Sequence, residues 1–338
     1  MKRIVALVIA LVMILSMAAC AGKETKKQEE NEAVTLKFSV MENEEHPQGL
    51  LMAAFKKKAE ELSGGNIKVD IYYNGSLYSQ EAAMQAIRSG ELELTTTSMQ
   101  VTAEYLPSIN MLTSTFIFKD YDHMRKVMDG EIGEDLFNQM ASQGVGYVPI
   151  GFFYNGSRQL NLRTEEEVHK PEDLKSTILR MPSSEAWIAA GESLGAKVTP
   201  MAYAEVYTAL ANGTIDAQDN PLPAVKTMKF YEVTKQLCMT YHIIDAEIVA
   251  LNTDRWNSLT EQQQTWVREA MKYAVEVCDN ATIQLESELV SFFEGEGLKI
   301  VYPDHDAFAS YALNYYQEKG LADDWDMDLY QKIQDLAK

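Results

Sequence analysis

The sequence predicts an α/β fold, and three observations carry that prediction. Between residues 36 and 98, short apolar strands alternate with amphipathic helices, an order that favours parallel strand pairing. The same alternation returns between residues 144 and 253. An apolar stripe then runs from Trp266 to Phe292 at helical spacing, much longer than an average helix. A helix of this length could brace two domains.

The first series contains three strands and two helices. Ile67, Val69 and Ile71 alternate with polar residues, as in a half-buried strand. Pro47 lies early in a periodic apolar segment, where proline favours the start of a helix. The predicted elements are strands at 36–40, 67–73 and 91–98, and helices at 47–62 and 80–89.

The second series follows the same rules. Gly195 and Gly213 are predicted to end two helices, since glycine readily adopts the backbone conformation that terminates a helix. Ser258 and Glu261 have the spacing of a capping box and predict the start of the long helix. The predicted strands are 144–154, 177–181, 197–201, 214–220 and 246–253.

Length and charge limit the possible functions. A chain of 338 residues is long enough for about two domains. The formal net charge of −20 argues against nucleic acid or anionic lipid as a partner. No segment rich in proline or glycine separates two halves, so we expect strands that cross between the domains rather than a flexible linker.

The N-terminus predicts export. Lys2 and Arg3 precede an apolar run that ends in "SMAAC", the pattern of a secretory signal peptide over residues 1–19. The small residues before Cys20 resemble a bacterial lipobox, which implies cleavage there and lipid attachment to Cys20. Residues 20–32 are polar and charged, and we expect them to form a disordered tether. The protein would then be extracytoplasmic and held at the membrane by its lipid alone.

The cysteines and a search for enzyme motifs give little information about function. Cys238 and Cys278 could form at most one disulfide, and their spacing does not decide whether they pair. No phosphate-binding glycine loop, no H-E-x-x-H and no G-x-S-x-G sequence occurs, and the five histidines lack metal-ligand spacing. We therefore expect no catalytic residue, no metal and no cofactor.

Arg180 is the residue that most needs an explanation. It directly follows Ile178 and Leu179 in a strand that appears buried, and Pro182 begins a loop. A buried guanidinium without a partner costs several kcal/mol, so an anion should accompany it. On these residues alone, an internal carboxylate and a ligand carboxylate are equally good partners.

Three segments resemble the solute-binding proteins of TRAP transporters, the DctP-like family. They are "NGSRQL" (155–160), "PEDLKSTILRMPSS" (171–184) and "EVYTALANGTIDAQDNPL" (205–222). The resemblance implies a two-lobed periplasmic-binding-protein-like fold, with a ligand cleft between the lobes and a long bracing helix. It also implies a receptor that captures a small organic acid and delivers it to TRAP membrane subunits.

The resemblance assigns roles to particular residues. Arg180 would pair with the ligand carboxylate, Arg158 would assist, and Asn220 would lie at the ligand. The amides of Asn220 and the nearby Gln218 can supply hydrogen bonds to the remaining ligand oxygens. Asp219 stands where glutamate is commoner in the family. Other candidates for the site are the aromatic walls and two polar residues: Trp187, Tyr203, Tyr241, Ser98 and Gln80.

The lobes are predicted from the same comparison. Lobe I would comprise residues 33–155 and 246–285, and lobe II residues 156–245 and 286–338. The ligand class stays open among C4-dicarboxylates, hexuronates and related sugar acids. An ABC-type solute-binding lipoprotein and a secreted hydrolase using the same cleft are the alternatives.

Overall fold

The computed structural model describes residues 32–338, and Ala33–Lys338 form one compact unit. The predicted signal peptide and Cys20 lie outside the described residues, as does the predicted tether up to residue 31. The α/β prediction is confirmed. Nine strands form a single sheet in this part of the chain, and helices cover its faces. No helix among the described residues combines the length and apolar character that crossing a membrane requires.

Two of the strands are much longer than the others. The strands are β1 (Val34–Ser39), β2 (Ile67–Tyr72), β3 (Leu94–Ser98), β4 (Tyr147–Leu162), β5 (Ile178–Met181), β6 (Lys197–Pro200), β7 (Ala217–Pro221), β8 (Gln236–Asn252) and β9 (Lys299–Val301). The predicted strands at 144–154 and 246–253 overlap β4 and β8, which begin or end at different residues and are both longer than predicted.

The helices are short apart from one. They are α1 (Pro47–Leu62), α2 (Gln80–Ser89), α3 (Met99–Thr102), α4 (Tyr121–Met128), α5 (Glu131–Ser142), α6 (Glu185–Glu192), α7 (Val206–Asn212), α8 (Leu222–Thr227), α9 (Thr253–Ser258), α10 (Glu261–Gly295), α11 (His305–Glu318) and α12 (Met327–Asp335). The long helix begins later than predicted. Thr260 and Gln263 form its capping box, because Ser258 is the last residue of α9.

The sheet has the order β2-β1-β3-β8-β4-β7-β5-β6, with β9 beside β8. β1 pairs in parallel with β2 and β3, and β7, β5 and β6 form a second parallel group. β8 and β4 lie between the groups and pair antiparallel with each other. Each long strand therefore belongs to both halves of the sheet, as the absence of a linker segment in the sequence suggested.

The pairing of β4 with β8 is interrupted near the middle of both strands. One register shift lies between Tyr154 and Gly156, on either side of Asn155. Gly156 has φ of 124°, which only glycine adopts readily. A Cβ atom there would also lie 2.6 Å from Cβ of Pro221. A local break of this kind bends the strands where one half of the sheet meets the other.

Helix α10 packs against both halves. Its first part buries Val267 and Met271 in a core that contains Phe38 and Phe55. Its last part buries Leu289 and Phe293 in a separate core, with Val206 and Leu210.

Two carboxylates of α10 hold the strand break in place. Asp279 Oδ1 accepts a hydrogen bond from the Tyr154 amide at 2.8 Å, and Glu286 Oε1 accepts one from the Ser157 amide at 2.6 Å. The long helix is therefore attached to β4 on both sides of Asn155.

Cys238 and Cys278 are both buried free thiols, so they do not pair with each other.

The C-terminal helix α12 contacts α4, where His123 Nε2 lies 2.7 Å from the Ile333 carbonyl oxygen. The last part of the chain thus reaches the segment predicted for lobe I.

The start of α1 depends on a buried histidine. His46 is the N-cap residue, and its Nδ1 accepts a hydrogen bond from the Gln48 amide at 3.2 Å. Its Nε2 is buried without a hydrogen-bond partner among the described residues. Burial lowers the pKa of His46 to about 3. The folded protein therefore keeps this imidazole neutral under conditions where the unfolded chain would protonate it.

This difference predicts a loss of stability in acid. The stabilisation due to the neutral His46 is fully present above about pH 6.5, the pKa of histidine in the unfolded chain. Below that pH the free energy of unfolding declines by about 1.4 kcal/mol per pH unit because of this residue. The variant His46→Asn keeps a capping acceptor but has no titrating group. Its free energy of unfolding, measured by urea denaturation between pH 6.5 and 4, should fall less steeply than that of the wild type.

The exposed His169, paired with Glu167 at the surface, provides the control. The variant His169→Asn should retain the wild-type slope. Equal slopes for His46→Asn and the wild type would contradict the role of His46.

Candidate functional site

A cavity lies where the two parallel groups of strands meet. The groups run in opposite directions, and the carboxyl-terminal ends of β1, β3, β5 and β7 all contribute residues to it, a common position for ligands in α/β proteins. The lining residues are Ser39, Val40, Met41, Glu42, Gln48, Tyr78, Gln80, Ala83, Thr95, Thr96, Thr97, Ser98, Asn155, Arg158, Arg180, Pro182, Trp187, Tyr203, Asn220 and Glu247.

Arg180 lies at the end of β5, and its side chain is almost fully buried, with 2% of the residue exposed. Its Nε and Nη2 atoms donate to the carbonyl oxygen of Met201 at 2.9 and 2.6 Å. Nη1 donates to none of the described residues, and no carboxylate in this part of the chain forms an ion pair with the guanidinium. The peptide carbonyl thus orients the group without neutralising it.

The electrostatic consequence appears in the pKa. Burial lowers the pKa of Arg180 to about 10, and the charge of Asp219 offsets only part of that shift. Arginine remains protonated at this value. The protein therefore holds a desolvated positive charge at the cavity wall, which an anion placed beside it would stabilise.

Arg158 has the opposite environment. Its Nε donates to Asp219 Oδ2 at 2.7 Å, and its Nη1 donates to Asp245 Oδ2 at 2.9 Å. Nη2 donates to the Asp219 carbonyl oxygen and to Asn220 Oδ1. Burial opposes the charge, but the two carboxylates outweigh it and raise the pKa of Arg158. The sequence predicted that both Arg180 and Arg158 would be available to a ligand, whereas Arg158 already has two counter-charges.

Asp219 joins Arg158 to a buried histidine. His242 Nε2 lies 3.0 Å from Asp219 Oδ2, and His242 Nδ1 lies 2.7 Å from Thr240 Oγ1. Burial would raise the pKa of Asp219, but Arg158 and His242 lower it well below its usual range. The aspartate that replaces the family's commoner glutamate is therefore ionised.

Asn220 lines the cavity, but its amide is already engaged. Its Nδ2 donates to Gln218 Oε1 at 2.5 Å, and Gln218 Nε2 donates in turn to Asn161 Oδ1 at 3.3 Å. Gln218 is fully buried and does not line the cavity. It fixes the orientation of Asn220 instead of presenting donors of its own.

The aromatic candidates divide into two groups. Trp187 and Tyr203 line the cavity, with Arg158 Cζ 4.4 Å from the centre of the Trp187 ring and Arg180 Cζ 5.8 Å from that of Tyr203. Tyr241 does not line it, and 38% of this residue is exposed. A left-handed backbone, with φ of 47°, occurs at Tyr241. No periodicity in the sequence predicts that conformation.

The two polar candidates both lie at the wall. Ser98 ends β3, and its Oγ accepts hydrogen bonds from the Val101 amide and from Trp187 Nε1, each at 3.2 Å. The second of these bonds joins the segments predicted for the two lobes. Gln80 is the first residue of α2 and is partly exposed to the cavity.

Several lining residues were not identified from the sequence. Gln48 Nε2 donates to Asn155 Oδ1 at 2.9 Å and to Glu247 Oε2 at 3.0 Å, and Thr96 Oγ1 donates to Gln48 Oε1 at 3.1 Å. Glu42 lies three residues after the end of β1. Burial raises the pKa of Glu42 to about 7, and burial with the charge of Asp245 raises the pKa of Glu247 well above its ordinary value.

Two sequence signals could have revealed these residues. Glu247 interrupts an otherwise apolar run, "AEIVAL", and a carboxylate in such a strand needs a partner or a function. The hydroxyl run "TTTS" lies at the end of a predicted strand, where ligands of α/β proteins are found. Glu42 gives no comparable signal, because glutamates are frequent throughout its loop.

The chemistry of this wall suits ligand binding. A desolvated cation, aromatic faces and many hydroxyl and amide groups surround one cavity. No cluster of histidine, cysteine or acidic residues in the described part of the chain has the geometry of a metal site.

Comparison with known proteins identifies the family. "Bacterial extracellular solute-binding protein, family 7" matches residues 38–321. The sialic acid-binding periplasmic protein of Vibrio cholerae serotype O1 is 30% identical over 307 residues, which cover 91% of this chain and 92% of that protein. The C4-dicarboxylate-binding periplasmic protein DctP of Rhodobacter capsulatus is 29% identical, over 71% of each chain.

A solved structure agrees with this assignment. The TRAP periplasmic solute-binding protein of Roseobacter denitrificans, with bound 3-deoxy-D-manno-oct-2-ulosonic acid, has a TM-score of 0.85 and 33% identity, covering 90% of this chain and 100% of that one. The predicted two-lobed fold with its long helix is thereby confirmed. These proteins are receptors rather than enzymes, which does not favour the hydrolase alternative. The chain belongs to bacterial extracellular solute-binding protein family 7 and is a solute-binding protein of the TRAP-transporter type.

Proposed function

We propose that this receptor binds the carboxylate of a small organic acid through Arg180. The single observation that carries the proposal is the buried guanidinium at the cavity wall, which donates to a carbonyl oxygen and forms no ion pair with a carboxylate of the described residues. Nη1 and the second hydrogen of Nη2 form a planar pair of donors, which matches the two oxygens of a carboxylate. The relatives described above bind sugar acids or C4-dicarboxylates, and both classes carry this group.

The other lining residues complete the proposed site. Asn220 is held by Gln218 and Arg158 beside the cavity, and Trp187 and Tyr203 exclude water from it. A bidentate ion pair in a dry site is stronger than one in water, because the local dielectric constant is lower. In this arrangement Arg158 holds the aspartates in place and contributes its field, while Arg180 makes the direct contact.

Closure of the lobes would couple binding to transport. The proposed lobes are residues 33–155 with 246–285, and residues 156–245 with 286–338. The break in the β4–β8 pairing at Asn155 falls at the proposed boundary and supports a hinge there. A ligand that touches both lobes stabilises the closed form, and TRAP membrane subunits would recognise that form.

The role of Arg180 can be tested by ligand-induced thermal stabilisation. A ligand at one hundred times its Kd should stabilise the wild type by about 2.7 kcal/mol. Arg180→Ala should abolish the rise in Tm produced by an organic acid that stabilises the wild type. Arg180→Lys should weaken binding at least about tenfold, since a lysine is a point charge without the planar fork.

Arg163 lies outside the cavity and provides a matched control. Arg163→Ala should keep the full rise in Tm. A full rise in Arg180→Ala would refute the proposed contact.

Replacing Arg158 and replacing Arg180 should have different effects on the stability of the ligand-free protein. Arg158→Met leaves Asp219 and Asp245 buried without their counter-charge, and should lower the free energy of unfolding by about 3–5 kcal/mol. Arg180→Met removes a cation that has no carboxylate partner, and should leave the stability close to that of the wild type. Urea denaturation of the two variants without ligand measures the difference, and equal losses would contradict the assignment.

We further propose that Cys20 carries the membrane anchor. The support is the sequence alone: a signal-like segment ends in "SMAAC", and a polar segment follows. The body of the protein would then remain close to its membrane subunits.

A labelling experiment tests this anchor. Cys20→Ser should eliminate incorporation of a labelled fatty acid and move the protein from the membrane fraction to the soluble fraction. Cys278→Ser, which changes a buried thiol, should keep the label. Labelled protein in the Cys20→Ser variant would argue against lipidation at this position.

A further inference from the structure

Unsatisfied polar atoms are concentrated at the ligand cavity. Among the described residues, six buried side-chain oxygen or nitrogen atoms have no hydrogen-bond partner. Four of them belong to residues that line this cavity: Ser39 Oγ and Thr97 Oγ1, and Glu42 Oε2 and Tyr203 Oη, two groups that lie close enough to shift each other's pKa but are not aligned for a hydrogen bond. Buried polar groups are nearly always paired in native proteins, so a shared location for four such atoms points to a ligand that pairs with them.

Two carboxyl groups dominate this part of the wall. Glu42 is buried, with 9% of the residue exposed, and its Oε2 is the unpartnered atom. Glu247 is partly buried, and its two oxygens accept hydrogen bonds from Asn155 Nδ2 at 3.2 Å and Gln48 Nε2 at 3.0 Å. Both residues come from the segment proposed as lobe I, whereas Arg180 comes from the segment proposed as lobe II. The first-lobe wall thus offers hydrogen-bond acceptors where the second-lobe wall offers a cation.

The lining has no free cation for a second carboxylate. Only two basic residues, Arg158 and Arg180, contribute to the cavity wall as the structure describes it. Arg158 is neutralised by Asp219 and Asp245, and Arg180 would be occupied by the first carboxylate. A second carboxylate would therefore be buried beside Glu42 and Glu247 without a counter-charge, and an unpaired buried charge is strongly unfavourable.

We infer that Glu42 and Glu247 select a monocarboxylate with several hydroxyl groups and reject acids that carry a carboxylate at both ends. The inference rests on the proposed binding of one carboxylate by Arg180. Hydroxyl groups are the matching chemistry, because each donates to a carboxyl oxygen and accepts from Ser39, Thr97 or Tyr203. Sites built to bind hydroxyls reject analogues that leave their buried polar groups unpaired.

The pKa shifts of the two glutamates show that this wall already disfavours negative charge. Burial raises the pKa of Glu42 to about 7, with Tyr203 and Arg158 acting in the opposite direction. The charges of Asp245 and Glu42 add to the effect of burial on Glu247. A neutral carboxyl group both donates and accepts a hydrogen bond, so each group can pair with a hydroxyl in either protonation state.

Matched acids provide the test. Each pair shares the configuration of its hydroxyls and differs only by oxidation of the terminal CH2OH: D-erythronate with meso-tartrate, D-gluconate with D-glucarate, and D-galactonate with galactarate. We expect at least one monoacid to bind in an Arg180-dependent manner, measured by calorimetry on the purified protein. Its diacid partner should bind at least about tenfold more weakly.

Isosteric variants assign the discrimination to the two residues. Glu42→Gln and Glu247→Gln replace an ionisable carboxyl group with a neutral amide of nearly the same shape, and each should reduce the difference in Kd between a monoacid and its diacid at least about threefold. Glu45→Gln makes the same substitution in the loop of Glu42, at an exposed residue outside the cavity, and should leave that difference unchanged. The Tm of each variant without ligand verifies that it is folded.

The outcomes separate this inference from the function on which it rests. Diacids or succinate that bind as tightly as the monoacids, in an Arg180-dependent manner, would overturn the selection while leaving the carboxylate site intact. An unchanged difference in Kd in both glutamate variants would also overturn it. If no acid of the panel, succinate included, bound in an Arg180-dependent manner, the proposed function would fail together with this inference.

Discussion

The positive charge of Arg180 is buried at the end of a strand, where residues 32–338 supply a carbonyl oxygen but no carboxylate partner. Such an arrangement is costly for the protein alone, because the charge has lost its water without gaining a counter-ion. The same arrangement suits a receptor. An incoming carboxylate recovers the missing Coulombic energy, and it does so in a cavity where water competes poorly. The Met201 carbonyl keeps the guanidinium in position meanwhile.

Arg158 shows how neighbouring residues change the use of one side chain. It lies beside the same cavity, but Asp219 and Asp245 pair with it at 2.7 and 2.9 Å. Those aspartates lie on β7 and β8, so the ion pairs connect β4 to the strands on either side of it. The network therefore stabilises the sheet where the cleft is formed. One arginine stabilises the site, and the other is the one we propose for the ligand.

The architecture places these groups between two cores. β4 and β8 continue through both halves of the sheet, and α10 contributes apolar residues to a core on each side. Asp279 and Glu286 attach the helix to β4 at the residues that flank Asn155. Because the strand pairing is broken at Asn155 but the helix is attached on both sides, bending can be confined to this point. In the proposed closed form, the hydrogen-bond acceptors of one wall would lie close to the cation of the other wall.

The sequence by itself determined the features that depend on local patterns. Alternating and helical periodicities gave the α/β class and the long helix, and the segment around Arg180 placed this residue at the end of a buried strand. The resemblance carried by three motifs added Asn220, and the expectation of aromatic walls added Trp187; both residues line the cavity. Tertiary structure alone decided the electrostatics. Arg158 is 61 and 87 residues away from its two aspartates, and Glu42 and Glu247 line one cavity only because distant strands converge. Gln218 and Tyr241 lie outside the cavity for the same reason. The position of a side chain on its own strand follows from the local sequence. Whether that side chain has a counter-charge or faces a cavity depends on which distant segments the fold places beside it.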